Sequence, residues 1–400
     1  MLEEGGSVAR FWVGFDVAKT FHWVCVVDEE GKEVLSRRVE ATEEDLEAVC
    51  SELAQLGGER TIGIDLLGGP ATLLEVVLLG HGERVLHVPG IAVNRARDAY
   101  RGEAKSDPRD ARIIAEQLRL RRRSLPEVRI RDETLVELRA LVSHRRDLVQ
   151  ERTRHITRLR ELLLGVFPGL EAVLDLTNRG ALLTVTKVAQ PSSSRRLGEA
   201  RLARWLKARG VRKAENLSRS VISAARGQKR ELPAAEAKAA LAAEIAADVL
   251  RLKERIATLD TRLQELVASD PKGALVRTLP GMGVVLTAEF LAEAGDLERF
   301  ESADRLAAAA GIAPVLRASG SVAYQRRARR GNRGLKQVFY RSAFCALSYH
   351  ETSKAFYRRK RAEGKRHHQA VLALARRRVN VLWAMLREGR TYEEPSPHAA

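Results

Sequence analysis

The sequence predicts an α/β domain at its N-terminus, two long helices in the middle and a mostly α-helical, strongly basic C-terminal segment. Three observations carry this. Strand-like and helix-like segments alternate over the first 120 residues, two heptad-spaced apolar seams follow, and the positive charge collects towards the C-terminus. At 400 residues, 45% of them hydrophobic, the chain is too long for one core and rich enough for several.

Phe11 to Val17, His22 to Asp28 and Lys32 to Val39 read as strands, parted by turn signals at Lys19-Thr20 and Glu29 to Gly31. An acidic helix spans Thr42 to Gln55, and an apolar strand runs from Arg60 to Leu66. Gly68, Gly69 and Pro70 open a helix to about Leu79, Arg84 to Val88 is a strand closed by Pro89-Gly90, and a last helix starts near Ser106-Asp107. Three strands, then helix, strand, helix, strand, helix give a mixed sheet, an order that matches the ribonuclease-H type of fold and allows other α/β arrangements.

Leu135, Leu138, Val142, Arg145, Val149, Arg152, Ile156, Leu159, Leu163 and Val166 fall on alternating steps of three and four, a coiled-coil seam. A second seam runs Ile245, Val249, Leu252, Ile256, Leu259, Leu263, Leu266. The seams can pair with each other or with a second copy. Arg145 and Arg152 at seam positions call for an acidic partner or a wet segment. Between the seams, Pro191 to Arg196 reads as a loop, with short helices at Leu202 to Ala208 and Ala214 to Ala225. Domains are expected at 10–125, 126–270 with a basic helical insertion at about 185–233, and 271–392. Residues 393–400 are expected to form a disordered tail.

The formal net charge is +17, and Ser321 to Arg390 alone holds 19 Lys and Arg against three Glu. A field so localised points to a polyphosphate partner, DNA or RNA. The three cysteines, Cys25, Cys50 and Cys345, form no C-x-x-C pair, which argues against disulfide frameworks and structural zinc and fits a reducing compartment. Neither a signal peptide nor a membrane span is read, so a cytoplasmic location without membrane contact is expected.

Two aspartates end apolar strands: Asp16 in Val13-Gly14-Phe15-Asp16-Val17 and Asp65 in Ile62-Gly63-Ile64-Asp65. Asp107 and Asp110 open a helix in Lys105-Ser106-Asp107-Pro108-Arg109-Asp110, and their i, i+3 spacing places both on one helix face. Singly, each reads as a cap or a turn acceptor. Together, on the first and fourth strands and last helix of one small domain, they suggest a carboxylate cluster that needs a divalent cation to exist. Such a site clamps Mg²⁺, with Mn²⁺ as the alternative, on a scissile phosphate.

Further on, Leu279-Pro280-Gly281-Met282-Gly283 precedes a helix from Val284 to Glu293, a backbone suited to phosphate. Ala310-Gly311-Ile312-Ala313-Pro314, then Ser319-Gly320-Ser321, then Arg326-Arg327-Ala328-Arg329-Arg330-Gly331-Asn332 follow, a Ser-Gly loop beside an arginine-rich strip. Lys105, Gly281, Gly283, Arg326, Arg327, Arg329, Arg330 and Asn332 are the candidate nucleic-acid contacts.

The segments around Asp16, Asp65 and Asp107-Pro-Arg-Asp110, with the Gly-Ile-Ala-Pro, Ser-Gly and Arg-Gly-Asn elements, resemble the DEDD-type transposases of the one-ten insertion-sequence family, relatives of the pilin-inverting recombinases. The likeness covers most of residues 10–125 and 271–390. It implies a domain similar to Holliday-junction resolvases, with Asp16, Asp65, Asp107 and Asp110 as metal ligands and Ser319, or alternatively Ser321, as a nucleophile that joins covalently to DNA. The family's second acid is usually Glu; this chain has Asp65, one methylene shorter, with Glu59 and Glu75 as substitutes. The resemblance further implies donor and target DNA, a structured guide RNA, and a homo-oligomer, dimer or tetramer, built on the coiled coils. The rivals are a Mg²⁺-dependent, resolvase-like nuclease using water, and a non-catalytic nucleic-acid scaffold.

Overall fold

The structure, a computed structural model, describes residues 9–97, 106–129, 132–297, 300–319, 322–326, 328 and 330–394. It divides into two units, 1–131 and 132–400.

The first unit is an α/β sandwich. Strands β1 (Arg10–Val17), β2 (Phe21–Val27) and β3 (Glu33–Glu40) form a meander, followed by α1 (Glu43–Gln55), β4 (Glu59–Ile64), α2 (Thr72–Gly80), β5 (Val85–His87), α3 (Gly90–Arg97) and α4 (Asp107–Arg121). The sheet order is β3-β2-β1-β4-β5, with β1, β4 and β5 parallel and β2 antiparallel to its neighbours. Alternation fixes the two faces. Val13, Phe15, Ile62 and Ile64 pack with Leu46, Val49, Leu53, Leu74 and Leu78 of α1 and α2, whereas Trp12 packs with Ala111, Ile114, Ala115 and Leu118 of α4. Thr42 starts α1 by accepting the Asp45 N–H at 3.3 Å, and acids fill the first turn where the helix dipole favours them. Helix α3 was not anticipated from the sequence; only Val93 of its side chains is buried, so it has almost no apolar periodicity.

In the second unit, α5 (Glu133–Leu164) leads through α6 (Pro168–Val173), α7 (Arg179–Lys187), α8 (Pro191–Leu197), α9 (Glu199–Lys207) and α10 (Ala214–Gly227) to α11 (Ala235–Ser269). Helices α5 and α11 run antiparallel along each other: Glu137 pairs with Arg262, Arg145 with Asp260, and Lys238 reaches the Gly165 carbonyl at 3.2 Å. The two seams therefore pair within the chain. Leu148, Leu252 and Ile256 hold the middle of the pair. The acidic partner expected for Arg145 is Asp260, which accepts from Nε at 2.5 Å and Nη2 at 3.3 Å. One expectation is corrected: Pro191 to Arg196 is helix, not loop. Pro191 sits in its first turn, the Ser193 and Ser194 hydroxyls donate to the Gln190 carbonyl, and Arg195 ties α8 to the Ala225 and Gln228 carbonyls.

The rest is α12 (Pro271–Thr278), α13 (Val284–Ala294), α14 (Ala303–Ala309), the antiparallel hairpin β6 (Val315–Ser319) and β7 (Val322–Arg326), then α15 (Arg333–Ala346), α16 (Glu351–Ala362) and α17 (His367–Glu388). Its core joins Phe290, Phe339, Val371, Leu374, Leu382 and Met385 to Leu138 and Leu263 of the long pair. The Ser-Gly segment read as a flexible loop is thus flanked by two paired strands. Among the described residues, no helix is long and apolar enough to cross a membrane.

Candidate functional site

The parallel register of β1 and β4 pairs Gly14 with Gly63 and Phe15 with Ile64, so Asp16 and Asp65 follow as neighbours at the C-terminal ends of both strands. Alternation turns both towards the face that carries Gly14 and Gly63. Helix α4 crosses that face closely: a Cβ on Gly14 would lie 2.6 Å from Ala115 N and nearer still to Ala111 O. Asp110 immediately precedes Ala111, and Asp107 lies one turn earlier, at the helix end near the two strand ends. The Asp65 carboxylate accepts the Val17 N–H at 3.2 Å, reaching across to β1. Asp16, Asp65 and the α4 pair thus share one end and one face of the sheet.

Burial pushes the Asp65 carboxyl above its ordinary range. The Val17 N–H and nearby His87 oppose this, while Asp110 adds repulsion. His87 Nε2 meets the Asp65 carbonyl at 3.3 Å, and burial lowers its own pKa. Asp110 is 3% exposed, and Arg97 grips it through two bonds, Nε–Oδ1 at 3.0 Å and Nη2–Oδ2 at 2.6 Å. Arg97 is the site residue that sequence reading missed, hidden in the unrecognised α3. Asp107 is the first residue of α4, with Ser106 at the cap position, so its carboxylate is not the N-cap.

Glu59 is ruled out as a substitute ligand: it pairs with Arg10 at the far end of β4. Glu75 is buried on α2 and accepts the Gly68 N–H at 2.6 Å. The donors at the strand ends are hard carboxylate oxygens, the chemistry that Mg²⁺ and Mn²⁺ take. Among the described residues no three His, Cys, Asp or Glu side chains already surround a single ion position.

In the second unit, Gly311 and Gly331, both at positive φ, cross so closely that a Cβ on Gly331 would lie 2.6 Å from Gly311 Cα. Beside this crossing lies an open cleft of about 600 Å³ lined by Arg326, Arg330, Arg333 and Lys336 and, among the described residues, by no acid. Arg326 Nε is buried there without a hydrogen-bond partner among the described residues. Ser319 is the last residue of β6, paired with Val322. Asn332 is engaged structurally: it caps α15 by accepting the Leu335 N–H at 3.0 Å and donates to Glu293 at 3.0 Å. Gly281 likewise has a packing role, because at φ +83° its Cβ would press into the α15 backbone at Ala346 N (3.0 Å) and Ser342 O. Gly283 caps α13 with open space around it. Lys105, Arg327, Arg329 and Ser321 lie outside the described residues.

Residues 13–168 match the profile of a transposase family of DEDD type, and residues 273–358 match that of the IS116/IS110/IS902 transposases. The chain is 41% identical to the 44.8 kDa protein of insertion element IS116 from Streptomyces clavuligerus, covering 97% of each. It is also 41% identical to the 42 kDa protein of IS900 from Mycobacterium paratuberculosis, covering 97% of this chain and 98% of that one. A pilin gene-inverting protein of Moraxella bovis is 26% identical over 35% of this chain and 46% of its own. With both family segments in place and full-length likeness to insertion-element proteins, this chain belongs to the IS116/IS110/IS902 family of transposases.

Proposed function

We propose that this transposase cleaves and rejoins donor and target DNA through a covalent Ser319–DNA intermediate, with Asp16, Asp65, Asp107 and Asp110 as ligands of Mg²⁺ or Mn²⁺. The observation that carries the reading is the shared end and face of the acids on β1, β4 and α4, in a sheet whose order suits a ribonuclease-H-like domain. A divalent cation bound there would compensate charge gathering on the phosphate under attack. The carboxylates hold the ion and orient the scissile group. The Ser319 oxygen bonds to phosphorus as a deoxyribose oxygen leaves and takes up a proton. Attack by a second DNA hydroxyl reverses the exchange and frees the serine. Arg326, Arg330, Arg333 and Lys336 suit a DNA backbone beside the β6–β7 hairpin.

A structured guide RNA and assembly into a dimer or tetramer, through faces of α5 and α11 other than the seams they bury in each other, complete the proposal, with residues 10–125, 126–270 and 271–392 as its working segments and the cytoplasm as its location. Incubation with labelled donor DNA and Mg²⁺, followed by denaturing gels and peptide mapping, tests the chemistry. An adduct on Ser319, lost in Ser319→Ala and in Asp16→Asn, is expected. Cleavage that persists in Ser319→Ala without an adduct would instead establish a nuclease using water.

A further inference from the structure

Arg378 is 4% exposed, yet it has no acidic partner among the described residues. It donates to the Ser342 hydroxyl from Nε at 3.1 Å and Nη2 at 2.6 Å, and to the Pro280 carbonyl. Neutral acceptors leave its full charge uncompensated, and burial drags its pKa down to about 10. A buried cation without a counter-ion, lining a cavity, is the mark of a site for an anion.

The cavity exists. It has about 540 Å³ between α16, α17 and the chain after α17, lined by Arg377, Arg378 and Arg390 with Phe356 and Tyr392, and among the described residues its only lining acids are Glu393 and Glu394. The closing segment is held by few bonds. Tyr392 N–H donates to Thr278 at 2.8 Å. His350 Nδ1 accepts the Ser353 N–H at 3.3 Å, which leaves Nε2 to face Glu394 at 3.0 Å and the Tyr392 hydroxyl at 3.1 Å. Glu394, expected to lie in a disordered tail, is therefore bonded over a cationic cavity while remaining mostly exposed.

We propose that this cavity is a phosphate site, in which Arg377, Arg378 and Arg390 hold one phosphodiester of a single-stranded nucleic acid and the Glu393–Glu394 segment takes its place when no strand is bound. Arginines can fork around phosphate oxygens, and Phe356, over which Arg359, Lys360 and Arg377 stand, and Tyr392, edge-on to His350, place aromatic rings beside them, which favours a strand over a free ion. The site needs neither the aspartates nor Ser319, so it stands or falls apart from the proposed chemistry.

The full-length protein is photo-crosslinked to a short oligodeoxynucleotide carrying 4-thiothymidine, and the peptides are mapped. Labelling of the Tyr392 or His350 peptide is expected. Arg377→Gln with Arg390→Gln, both exposed and so compatible with folding, should cut that labelling at least about tenfold and reduce the salt slope of binding by about 0.7, the share of one single-strand phosphate. Glu393→Gln with Glu394→Gln should raise affinity by roughly threefold, the effect of a weak exposed competitor. Labelling only elsewhere, or labelling indifferent to the arginine pair, overturns the proposal. Millimolar inorganic phosphate that abolishes the Tyr392 crosslink at constant ionic strength overturns its strand part and leaves a site for free phosphate.

Discussion

Gly14→Ala is the sharpest perturbation of the acidic site, because it touches none of the acids. The added methyl must move from 2.6 Å to an ordinary 3.4 Å from Ala115 N, and further still from Ala111 O, so α4 and β1 have to part by at least 0.8 Å. Both obstacles are backbone atoms of a helix and cannot turn aside. The parting carries Asp107 and Asp110 away from Asp16 and Asp65. Misplacement of about 1 Å costs on the order of a hundredfold in rate, and overpacking of this kind costs about 1–3 kcal/mol of stability. Gly63→Ala is the matched control. Its Cβ meets side-chain atoms, Leu118 Cδ1 at 2.8 Å and Ile114 Cγ2 at 3.0 Å, which rotamer changes can relieve. Adduct formation under saturating Mg²⁺, read beside thermal melting, should fall about a hundredfold in Gly14→Ala and only a few-fold in Gly63→Ala. Equal rates in wild type and Gly14→Ala, with the expected loss of stability, would refute the idea that α4 presents the working carboxylates.

Arg97→Ala strands a buried Asp110 and should cost about 2–3 kcal/mol in metal-free protein; added Mg²⁺ should then raise the melting temperature more than in wild type. Arg145→Ala should cost about 1 kcal/mol, whereas Arg145→Leu with Asp260→Leu should be neutral or stabilising by chemical denaturation, since the partly exposed pair sits on an apolar seam. His22 is buried with Nε2 unpartnered among the described residues, and burial holds its pKa below 6.5. The unfolded chain therefore takes up a proton first as pH falls, and the stability present above pH 6.5 is lost below it. In His22→Gln, urea midpoints between pH 7 and 5 should decline less steeply.

The acids were legible because each strand ends in a lone carboxylate after an apolar, glycine-spaced run, and because Asp107 and Asp110 fall one turn apart. Their common face required the parallel register of β1 with β4, which sequence order suggested and only coordinates supply. Arg97 was hidden because α3 buries one side chain. The β6–β7 hairpin was hidden because Leu316 and Tyr324 remain exposed and polar residues interrupt both strands, leaving no clean period of two. Arg378 was within reach: Val371, Leu374, Leu382 and Met385 mark one buried stripe of α17, and Arg378 occupies the missing step while Arg377 points outward. In a run of three arginines, helical phase singles out the inward one.

The α5–α11 pair joins two cores of the second unit, one around Phe290 and Phe339 and the other around Phe167 and Leu182. Thirty-five residues of α11 span about 52 Å at 1.5 Å per residue. The pair is therefore a strut that holds the two cores at a set separation. Adding one heptad to each helix would lengthen the strut and part the two cores by about 10 Å.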